Sequence, residues 1–278
     1  MKTVLEILTL STEYLAKCGL KSPRKEAELL LAECFNMSRM SLYLESERPL
    51  QENEIHLFRE KIKRRGKGEP SQYIHGSVDF YGLKIKVTKE VLIPRPETEI
   101  LVDKIVKELL TEDLKNKVLL DLCTGTGCIG LALKKKFNDL TVYLSDLSEE
   151  ALKIAKENGK GLDVHYFHGD MFEPFSFQKF DYIVCNPPYI SQDEFMLLSH
   201  EVKDFEPKEA LLAGATGLEF YERLKNDLPK FLKNKAWLEI GSTQGQRVLA
   251  LFSEAPWKGV KLEKDWSEHD RFISLEIE

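Results

Sequence analysis

The four residues Asn186, Pro187, Pro188 and Tyr189 follow a mostly apolar run, 180–185, that is typical of a buried strand. Because proline has no N–H and a fixed φ, the Pro187 carbonyl and the Asn186 amide oxygen can both accept hydrogen bonds from one small planar group, with Tyr189 over its face. A planar NH2 suits such a site, and its conjugated nitrogen becomes a better nucleophile when both N–H bonds are accepted. A displacement catalysed by positioning and electrostatics requires no histidine, serine or metal.

A glycine-rich segment, Asp121-Leu122-Cys123-Thr124-Gly125-Thr126-Gly127, directly follows the apolar run 118–120 and opens a predicted helix. Nineteen residues beyond Gly127, at the end of the next predicted strand, Asp146 can bind both hydroxyls of a ribose. Together they indicate a cofactor that carries adenosine. Since residues 125–130 also spell Gly-x-Gly-x-x-Gly, this segment alone does not separate NAD from S-adenosylmethionine. The site that Asn186 and Pro187 offer to an NH2 group favours S-adenosylmethionine, which is a methyl donor.

The formal net charge of −6 is distributed unevenly, with +2 on residues 1–74 and −8 on residues 75–278. Phosphate neutralisation by Lys and Arg supplies most non-specific nucleic-acid affinity, so a nucleic acid held on a broad basic face is disfavoured. We therefore expect no direct nucleic-acid partner. One basic stretch, 59–67, is either a solvated helix end or a contact with RNA or an RNA-bound partner.

The five cysteines and six histidines show no spacing typical of a disulfide framework or a metal site, so we expect free thiols and no metal. No window approaches 18 consecutive apolar residues, and Glu6 interrupts the apolar run at the N-terminus. The sequence therefore predicts a cytoplasmic protein without a membrane partner, and we expect a monomer.

The elements that must position these residues change character along the chain. Helical periodicity predicts three helices near 5–18, 23–34 and 52–65. Alternation around Tyr81-Gly82 then predicts a β-hairpin. The resulting interpretation is a helical domain at 1–73, a β-hairpin linker at 74–93 and a larger domain at 94–278.

The larger domain alternates strand and helix patterns, which is typical of an α/β fold with a mostly parallel sheet covered on both faces. Its last two strand patterns have no helix between them and predict a terminal antiparallel hairpin. Strands are predicted at 118–122, 142–145, 164–167, 182–185, 237–240, 260–263 and 272–277.

These segments resemble the Asn-Pro-Pro-Tyr methyltransferases, and specifically the HemK/PrmC family of glutamine methyltransferases of peptide-chain release factors. Amino methyltransferases of DNA and RNA share Asn-Pro-Pro-Tyr, whereas Arg95–Glu99 and Glu201–Pro207 make the match narrower. The similarity covers nearly the whole chain. Further matching segments are Glu69–Ile74, Leu92–Glu99, the glycine-rich segment, Gly169–Phe172, and Leu238–Gly241 with Gln244-Gly245.

The resemblance implies a Rossmann-like class I methyltransferase domain preceded by a small helical domain. It implies methylation of the side-chain amide nitrogen (N5) of the glutamine in the Gly-Gly-Gln motif of class I release factors, which supports translation termination. S-adenosylmethionine would be the cofactor and S-adenosylhomocysteine the product. We hypothesise that the helical domain grips the release factor away from that glutamine.

Matching positions carry the family's site residues onto this chain. The cofactor would contact Asp121, Cys123, Thr124, Gly125, Thr126, Gly127, Asp146, Leu147, Asp170, Met171 and Asn186. The substrate would contact Arg95, Asn186, Pro187, Pro188 and Tyr189, of which Asn186, Pro187 and Tyr189 would be catalytic. Arg95 lies in a segment that also reads as a helix start, since Glu97 and Glu99 favour the positive end of a helix whatever the function.

Cys123 stands where the family usually has glycine. If that position needs a positive φ, cysteine is strained there by about 1–3 kcal/mol. Our hypothesis is that the backbone at Cys123 is in an ordinary region and that cofactor binding survives.

Three alternatives remain open from the sequence. A DNA or RNA exocyclic-amine methyltransferase would reuse Asn186–Tyr189, but the main domain is acidic and no separate target-reading domain is evident. An NAD-linked oxidoreductase fits the glycine spacing and Asp146, but no hydride-site pairing follows. A cofactor-loaded adaptor that only docks on release factors would need no chemistry from Asn186.

Overall fold

The computed structural model describes residues 2–176 and 178–278 of the 278-residue chain. These residues divide into two compact units. The first unit holds the described residues up to Gly76 together with Ser199–Phe205, and the second holds the rest. Within the described ranges, no helix is long and apolar enough to cross a membrane.

The helices are α1 Val4–Lys17, α2 Pro23–Cys34, α3 Arg39–Leu44, α4 Glu52–Gly66, α5 Ser71–His75, α6 Pro96–Leu109, α7 Cys128–Lys136, α8 Glu149–Asn158, α9 Gln192–Leu197, α10 His200–Phe205, α11 Glu219–Phe231 and α12 Gly245–Leu251. The strands are β1 Ser77–Phe80, β2 Leu83–Lys86, β3 Val118–Leu122, β4 Thr141–Asp146, β5 Val164–His168, β6 Phe180–Cys185, β7 Ile190–Ser191, β8 Leu212–Gly214, β9 Leu232–Glu239, β10 Trp257–Lys264 and β11 Asp270–Ile277.

The first unit is a set of helices around an apolar core. Capping boxes start α1 at Thr3 and α4 at Gln51, and Pro23 begins α2 at a position where its missing N–H costs nothing. The core is built from aliphatic side chains of α1, α2 and α4 together with Phe58 of α4. Helices α1, α2 and α4 confirm the three predicted helices. The short α3 and α5 were not predicted, because helices of six and five residues display too little periodicity.

The basic stretch 59–67 forms the C-terminal end of α4. Within the first unit, Lys61 pairs with Glu33 at 3.1 Å, and Arg64 pairs with Glu69. Arg65 is buried and contacts the carboxylates of Glu26 and Glu201 at 2.8 and 2.9 Å. These internal ion pairs favour the helix-end interpretation of the stretch.

The second unit is organised by a seven-stranded sheet with the order β10-β11-β9-β6-β3-β4-β5. Strands β9, β6, β3, β4 and β5 are parallel, and β11 and β10 add an antiparallel hairpin at one edge. The mostly parallel sheet and the terminal hairpin are therefore confirmed. The hairpin of β1 and β2 is also present, around Tyr81-Gly82. Strand β9 begins earlier than predicted, because Lys235 and Ala236 continue its pairing with β6.

Side chains of β3 alternate between the two faces of the sheet. Leu120 and Leu122 lie in a buried cluster with Tyr221 and Leu224 of α11. Asp121 faces the other way, toward α7. There a Cβ added to Gly130 would lie 2.3 Å from Leu144 Cδ2 of β4 and 3.1 Å from Asp121 Cβ of β3. This close approach brings the start of α7 against the end of β3.

The order of the strands reverses at β3. From β3 the chain runs outward to β4 and β5, and it then returns to place β6 on the other side of β3. Ligands of open α/β sheets bind at such a reversal, outside the carboxyl ends of the strands. The loops after β3 and β6 are therefore expected to share one site.

Candidate active site

A cavity of about 610 Å³ opens where the loops after β3 and β6 meet. This volume lies within the usual range of ligand sites, about 300–1,000 Å³. Of the predicted site residues, the cavity is lined by Arg95, Cys123, Thr124, Gly125, Thr126, Asp146, Leu147, Asp170, Met171, Asn186 and Pro188. The other four predicted site residues do not line the cavity: Asp121, Gly127, Pro187 and Tyr189. Each of them is the chain neighbour of a residue that does. The structure thus brings both motifs to one cavity.

The glycine-rich loop turns sharply at its first residue. Cys123 has φ +58°, so the expectation of an ordinary backbone region there is wrong. The reason is the geometry of the turn: β3 ends at Leu122, and the next N–H, that of Thr124, donates to the Ser145 carbonyl of β4 at 3.0 Å. A left-handed residue makes this change of direction and costs cysteine about 1–2 kcal/mol. Its thiol lies 3.9 Å from the Met171 sulfur.

Gly125 and Gly127 follow with φ +54° and +82°, a conformation that glycine adopts without steric cost. An ideal Cβ on Gly125 would meet no atom within 4 Å, so this stretch of backbone faces open space in the cavity wall. The Gly125 N–H donates to Asp146 Oδ2 at 2.8 Å. The loop is thereby tied to the end of β4.

Asp146 is held by backbone donors on both of its carboxylate oxygens. Besides Gly125, the Ser148 N–H donates to Oδ1 at 2.9 Å. Burial raises the pKa of this carboxyl, and the backbone donors oppose the rise. The Leu147 N–H acts on the carboxylate as well. A carboxylate has about four lone-pair sites, so one remains for a ligand hydroxyl.

Asp121 is fully buried beneath the loop. Its Oδ2 accepts from the Thr124 hydroxyl at 2.6 Å and from the Gly130 N–H at 2.9 Å. Burial raises its pKa to about 7. Within the part of the chain that the structure describes, Oδ1 has no hydrogen-bond partner. Asp121 therefore supports the loop from behind, and its second oxygen keeps its acceptor capacity.

Asp170 and Met171 follow β5 on the far side of the cavity. Asp170 is partly exposed and pairs with Arg223 at 2.8 Å. Met171 is buried, with φ +52°. Both residues line the cavity, which is compatible with the sequence-based prediction that they flank adenine.

The Asn186–Tyr189 segment is fixed by partners from distant parts of the chain. The Tyr189 carbonyl accepts from Gln244 Nε2 at 2.8 Å, and the same amide group donates to the Gly217 carbonyl at 3.0 Å. Directly after the segment, the Ile190 N–H donates to the Leu211 carbonyl at 3.0 Å. Burial raises the pKa of the Tyr189 phenol to about 12, so this ring stays neutral at pH 7.

Arg95 stands at the N-terminal end of α6, as predicted. Its guanidinium pairs with Glu206 Oε1 at 2.6 Å, and Glu206 Oε2 accepts from the Ile93 N–H at 3.3 Å. Glu206 is buried, so this pair fixes the guanidinium at the cavity wall. No group of three or more His, Cys, Asp and Glu side chains within residues 2–176 and 178–278 is arranged to hold a metal ion.

Comparison with known proteins identifies the family. Residues 6–76 match the PrmC N-terminal domain, and residues 97–202 match the methyltransferase small domain. A release factor glutamine methyltransferase of Chlamydia trachomatis serovar L2 is 42% identical over 275 residues, covering 98% of this chain and 93% of that protein. The chain belongs to the release factor glutamine methyltransferase family. A member from Bacillus subtilis is 38% identical, and the alignment covers 98% of this chain and 97% of that protein.

Solved structures agree on the fold. The hMettl16 catalytic domain, in complex with an RNA hairpin, gives a TM-score of 0.56 at 15% identity over 81% of this chain and 82% of that chain. The 16S rRNA N2 G1207 methyltransferase RsmC of T. thermophilus, in complex with AdoMet and guanosine, gives 0.52 at 16% identity over 73% and 50%. At this identity the likeness concerns the fold alone.

These comparisons confirm the resemblance, the α/β methyltransferase fold and the prediction of a methyltransferase enzyme. They place the chain among methyltransferases, so the glycine spacing that it shares with dinucleotide-binding proteins does not mark an NAD-linked oxidoreductase.

Two buried side chains of this family member had no role in the sequence-based site. Gln244 holds the Tyr189 carbonyl, and Glu239 contacts the Asn186 side chain. The available signal was a charged residue within the otherwise apolar run 236–240, because a buried carboxylate is costly unless it is paired. The stretch 242–246 forms a turn into α12.

Proposed function

We propose that this chain transfers a methyl group from S-adenosylmethionine to the side-chain amide nitrogen (N5) of the glutamine in the Gly-Gly-Gln motif of class I release factors. The single observation that carries the proposal is the meeting of two motifs at one cavity. The glycine-rich loop with Asp146 lies at the ends of β3 and β4, and Asn186 lines the same cavity from the end of β6. The names of the relatives support the choice of acceptor.

The described residues fit S-adenosylmethionine. Asp146 accepts from three backbone donors and keeps a further acceptor site, which suits a ribose hydroxyl. The open space at Gly125 lets the ligand approach the backbone, and the unpartnered Asp121 Oδ1 suits the charge of an amino group. Asp170 and Met171 are proposed to flank the adenine. When bound, this cofactor supplies an electrophilic methyl group on a positively charged sulfur.

The chain's own contribution is to position and activate the amide nitrogen. The Asn186 amide oxygen and the Pro187 carbonyl accept the two N–H bonds of the substrate, which returns electron density to the nitrogen. Tyr189, neutral at pH 7, packs against the amide. The bound cofactor would supply the methyl group, and one of the two N–H protons held by Asn186 and Pro187 would leave the nitrogen for solvent. Fixed acceptors stabilise the charge that develops on nitrogen without reorganising during the step.

Substrate choice is proposed to involve the helical region. Residues 6–76 match the PrmC N-terminal domain. A glutamine in a Gly-Gly-Gln motif alone offers little surface for recognition, so further contacts have to come from another part of the chain. We propose that residues 1–73 grip the release factor away from the glutamine, that 74–93 serve as linker and that 94–278 carry the chemistry. We also propose that the protein is a monomer located in the cytoplasm, as expected from the sequence.

The test is transfer of labelled methyl from S-adenosylmethionine to a purified class I release factor. The matched controls are the same factor with the Gly-Gly-Gln glutamine changed to alanine, duplex DNA and ribosomal RNA. We expect label on the intact factor alone. Label on a nucleic acid would instead support an exocyclic-amine methyltransferase.

A second arm uses Asn186→Ala. We expect turnover to fall by about 10²–10³-fold, the usual effect of removing one group that stabilises a developing charge, while the protein stays folded. Unchanged transfer by this variant would contradict the assigned role of Asn186. If the chain were an adaptor that only docks on release factors, neither the wild type nor Asn186→Ala would transfer label.

A further inference from the structure

Glu239 is a buried carboxylate beside the proposed catalytic asparagine. It ends β9, and β9 pairs in parallel with β6, with Leu238 opposite Cys185. Asn186 and Glu239 are the next residues on the two neighbouring strands. Only 1% of Glu239 is exposed, so its charge has to be compensated by protein groups.

The contacts of Glu239 fix both its backbone and its side chain. The Thr98 hydroxyl of α6 donates to Oε2 at 2.8 Å, and the Tyr221 hydroxyl donates to the Glu239 carbonyl at 2.9 Å. Thr98 and Tyr221 are themselves buried, which holds Glu239 in place from two helices. The Asn186 side chain lies beside the carboxylate and lowers its pKa, as a hydrogen-bond donor does.

Chemistry dictates the direction of a hydrogen bond between Asn186 and Glu239. An ionised carboxylate only accepts, so the Asn186 side chain has to turn its NH2 group toward Glu239. The amide oxygen then points away from Glu239, and Asn186 lines the cavity. Turned by half a rotation, the amide would present NH2 to the substrate NH2, and neither group could accept.

We propose that Glu239 is a positioning residue that holds Asn186 with its amide oxygen toward the substrate amide. The inference rests on the proposed function and deepens it, because it explains which of the two ends of Asn186 meets the substrate. Glu239 acts through Asn186 and does not touch the reacting atoms.

The orientation depends on the ionisation of Glu239. Burial raises its pKa to about 7, and the charge of Glu97 adds to this rise. The Thr98 hydrogen bond, the Asn186 side chain and the charge of Arg271 oppose it. The other titratable groups that face it stay neutral at pH 7, because burial raises the pKa of Tyr189 and of Cys128 to about 12 and that of Tyr221 well above its usual value. Below pH 7, a protonated Glu239 can donate to the Asn186 oxygen and occupy the substrate's acceptor. Turnover is therefore expected to fall as the pH falls through about 7.

Asp121 also has a pKa of about 7, so the pH profile of the wild type does not by itself identify Glu239. The variant Glu239→Gln separates the two. Its amide can accept from Asn186 and donate to Thr98, so we expect a few-fold fall in kcat and loss of the Glu239 contribution to the acid limb. Glu239→Leu leaves Asn186 without its partner, and kcat is expected to fall by about 10–100-fold. The matched control is Asp181→Asn, which changes a buried acid at the opposite end of β6 and should leave kcat unchanged.

A paired substitution distinguishes positioning from general structural damage. Asn186→Asp places a second carboxylate against Glu239. Adding Glu239→Gln restores a donor, so the double variant should be several-fold more active than Asn186→Asp alone. A double variant no more active than the single one would overturn the proposal, as would an unchanged acid limb in Glu239→Gln.

One readout does not require methyl transfer. With ¹⁵N-labelled asparagine, the side-chain NH2 signal of Asn186, assigned by its loss in Asn186→Ala, should titrate with a midpoint near pH 7 in the wild type and not in Glu239→Gln. If this titration is seen but no release factor is methylated, the proposed function fails and the contact stands. If methylation is seen but the titration is the same in both proteins, the role of Glu239 fails and the proposed function stands.

Discussion

The loop after β3 and the segment after β6 form two sides of one cavity, but they keep their shapes by different means. The loop is shaped by its own backbone, with positive φ at Cys123, Gly125 and Gly127, and its tie to Asp146 spans 21 residues. The segment is held by side chains from far along the chain, since the bond from Gln244 to the Tyr189 carbonyl spans 55 residues. A locally shaped loop suits a cofactor, whereas a remotely supported segment couples the proposed chemistry to the packing of β9 and α12.

The largest effect in this comparison is expected from Asp146→Asn. The substitution replaces one carboxylate oxygen by an NH2 group, which faces the Gly125 or Ser148 N–H and removes an acceptor proposed for the ribose. The KM for S-adenosylmethionine should rise by about 10–100-fold, as hydrogen bonds to a charged group contribute about 1.5–3 kcal/mol each. The measurement is initial-rate kinetics with each substrate varied in turn.

The matched control is Asp163→Asn, which alters an exposed acid on the turn before β5. If Asp146→Asn raised the KM for the release factor and left that for S-adenosylmethionine unchanged, the division of the cavity into a cofactor side and a substrate side would be wrong.

Gln244→Leu tests the remote support of the other side. The variant loses donors to the Tyr189 and Gly217 carbonyls and the acceptor of the Gly241 N–H, all in a buried region. We expect the free energy of unfolding to fall by about 1–3 kcal/mol and kcat to fall while S-adenosylmethionine affinity is kept. Urea unfolding and cofactor titration measure the two effects.

Gln246→Leu changes an exposed glutamine two positions later and serves as control. Equal losses of kcat and cofactor affinity in Gln244→Leu would show that the two sides of the cavity are not supported separately.

This difference between local and remote support also explains how much of the structure the sequence predicts. The loop, Asp146 and the strands around them follow from glycine spacing and apolar periodicity, which are local signals. Asn186–Tyr189 is evident as a motif, but its partners are not. Nothing near Glu239 or Gln244 in the chain says which loop they contact, because their neighbours are set by the pairing of β9 with β6 and by the turn into α12. Short helices such as α3 and α10 escaped prediction for want of periodicity.

Cys123 is the position at which local reasoning failed, and it gives the smallest expected effect. Its φ of +58° is costly for cysteine, so Cys123→Gly relieves strain, while it also removes thiol contacts with Met171 and Cys185. The gain and the loss are each about 1 kcal/mol, and the glycine also adds freedom to the unfolded chain. We therefore expect the unfolding free energy to change by less than about 1 kcal/mol, and S-adenosylmethionine affinity by less than about 3-fold.

Asn116→Gly is the matched control, a second left-handed residue with φ +62° that does not line the cavity. Asparagine tolerates this conformation better than cysteine, so the strain relieved there should be smaller. A large gain in cofactor affinity for Cys123→Gly, absent in Asn116→Gly, would mean that the thiol obstructs the site. The loop would then depend on its side chains as much as the segment after β6 does, and the contrast between the two sides of the cavity would be lost.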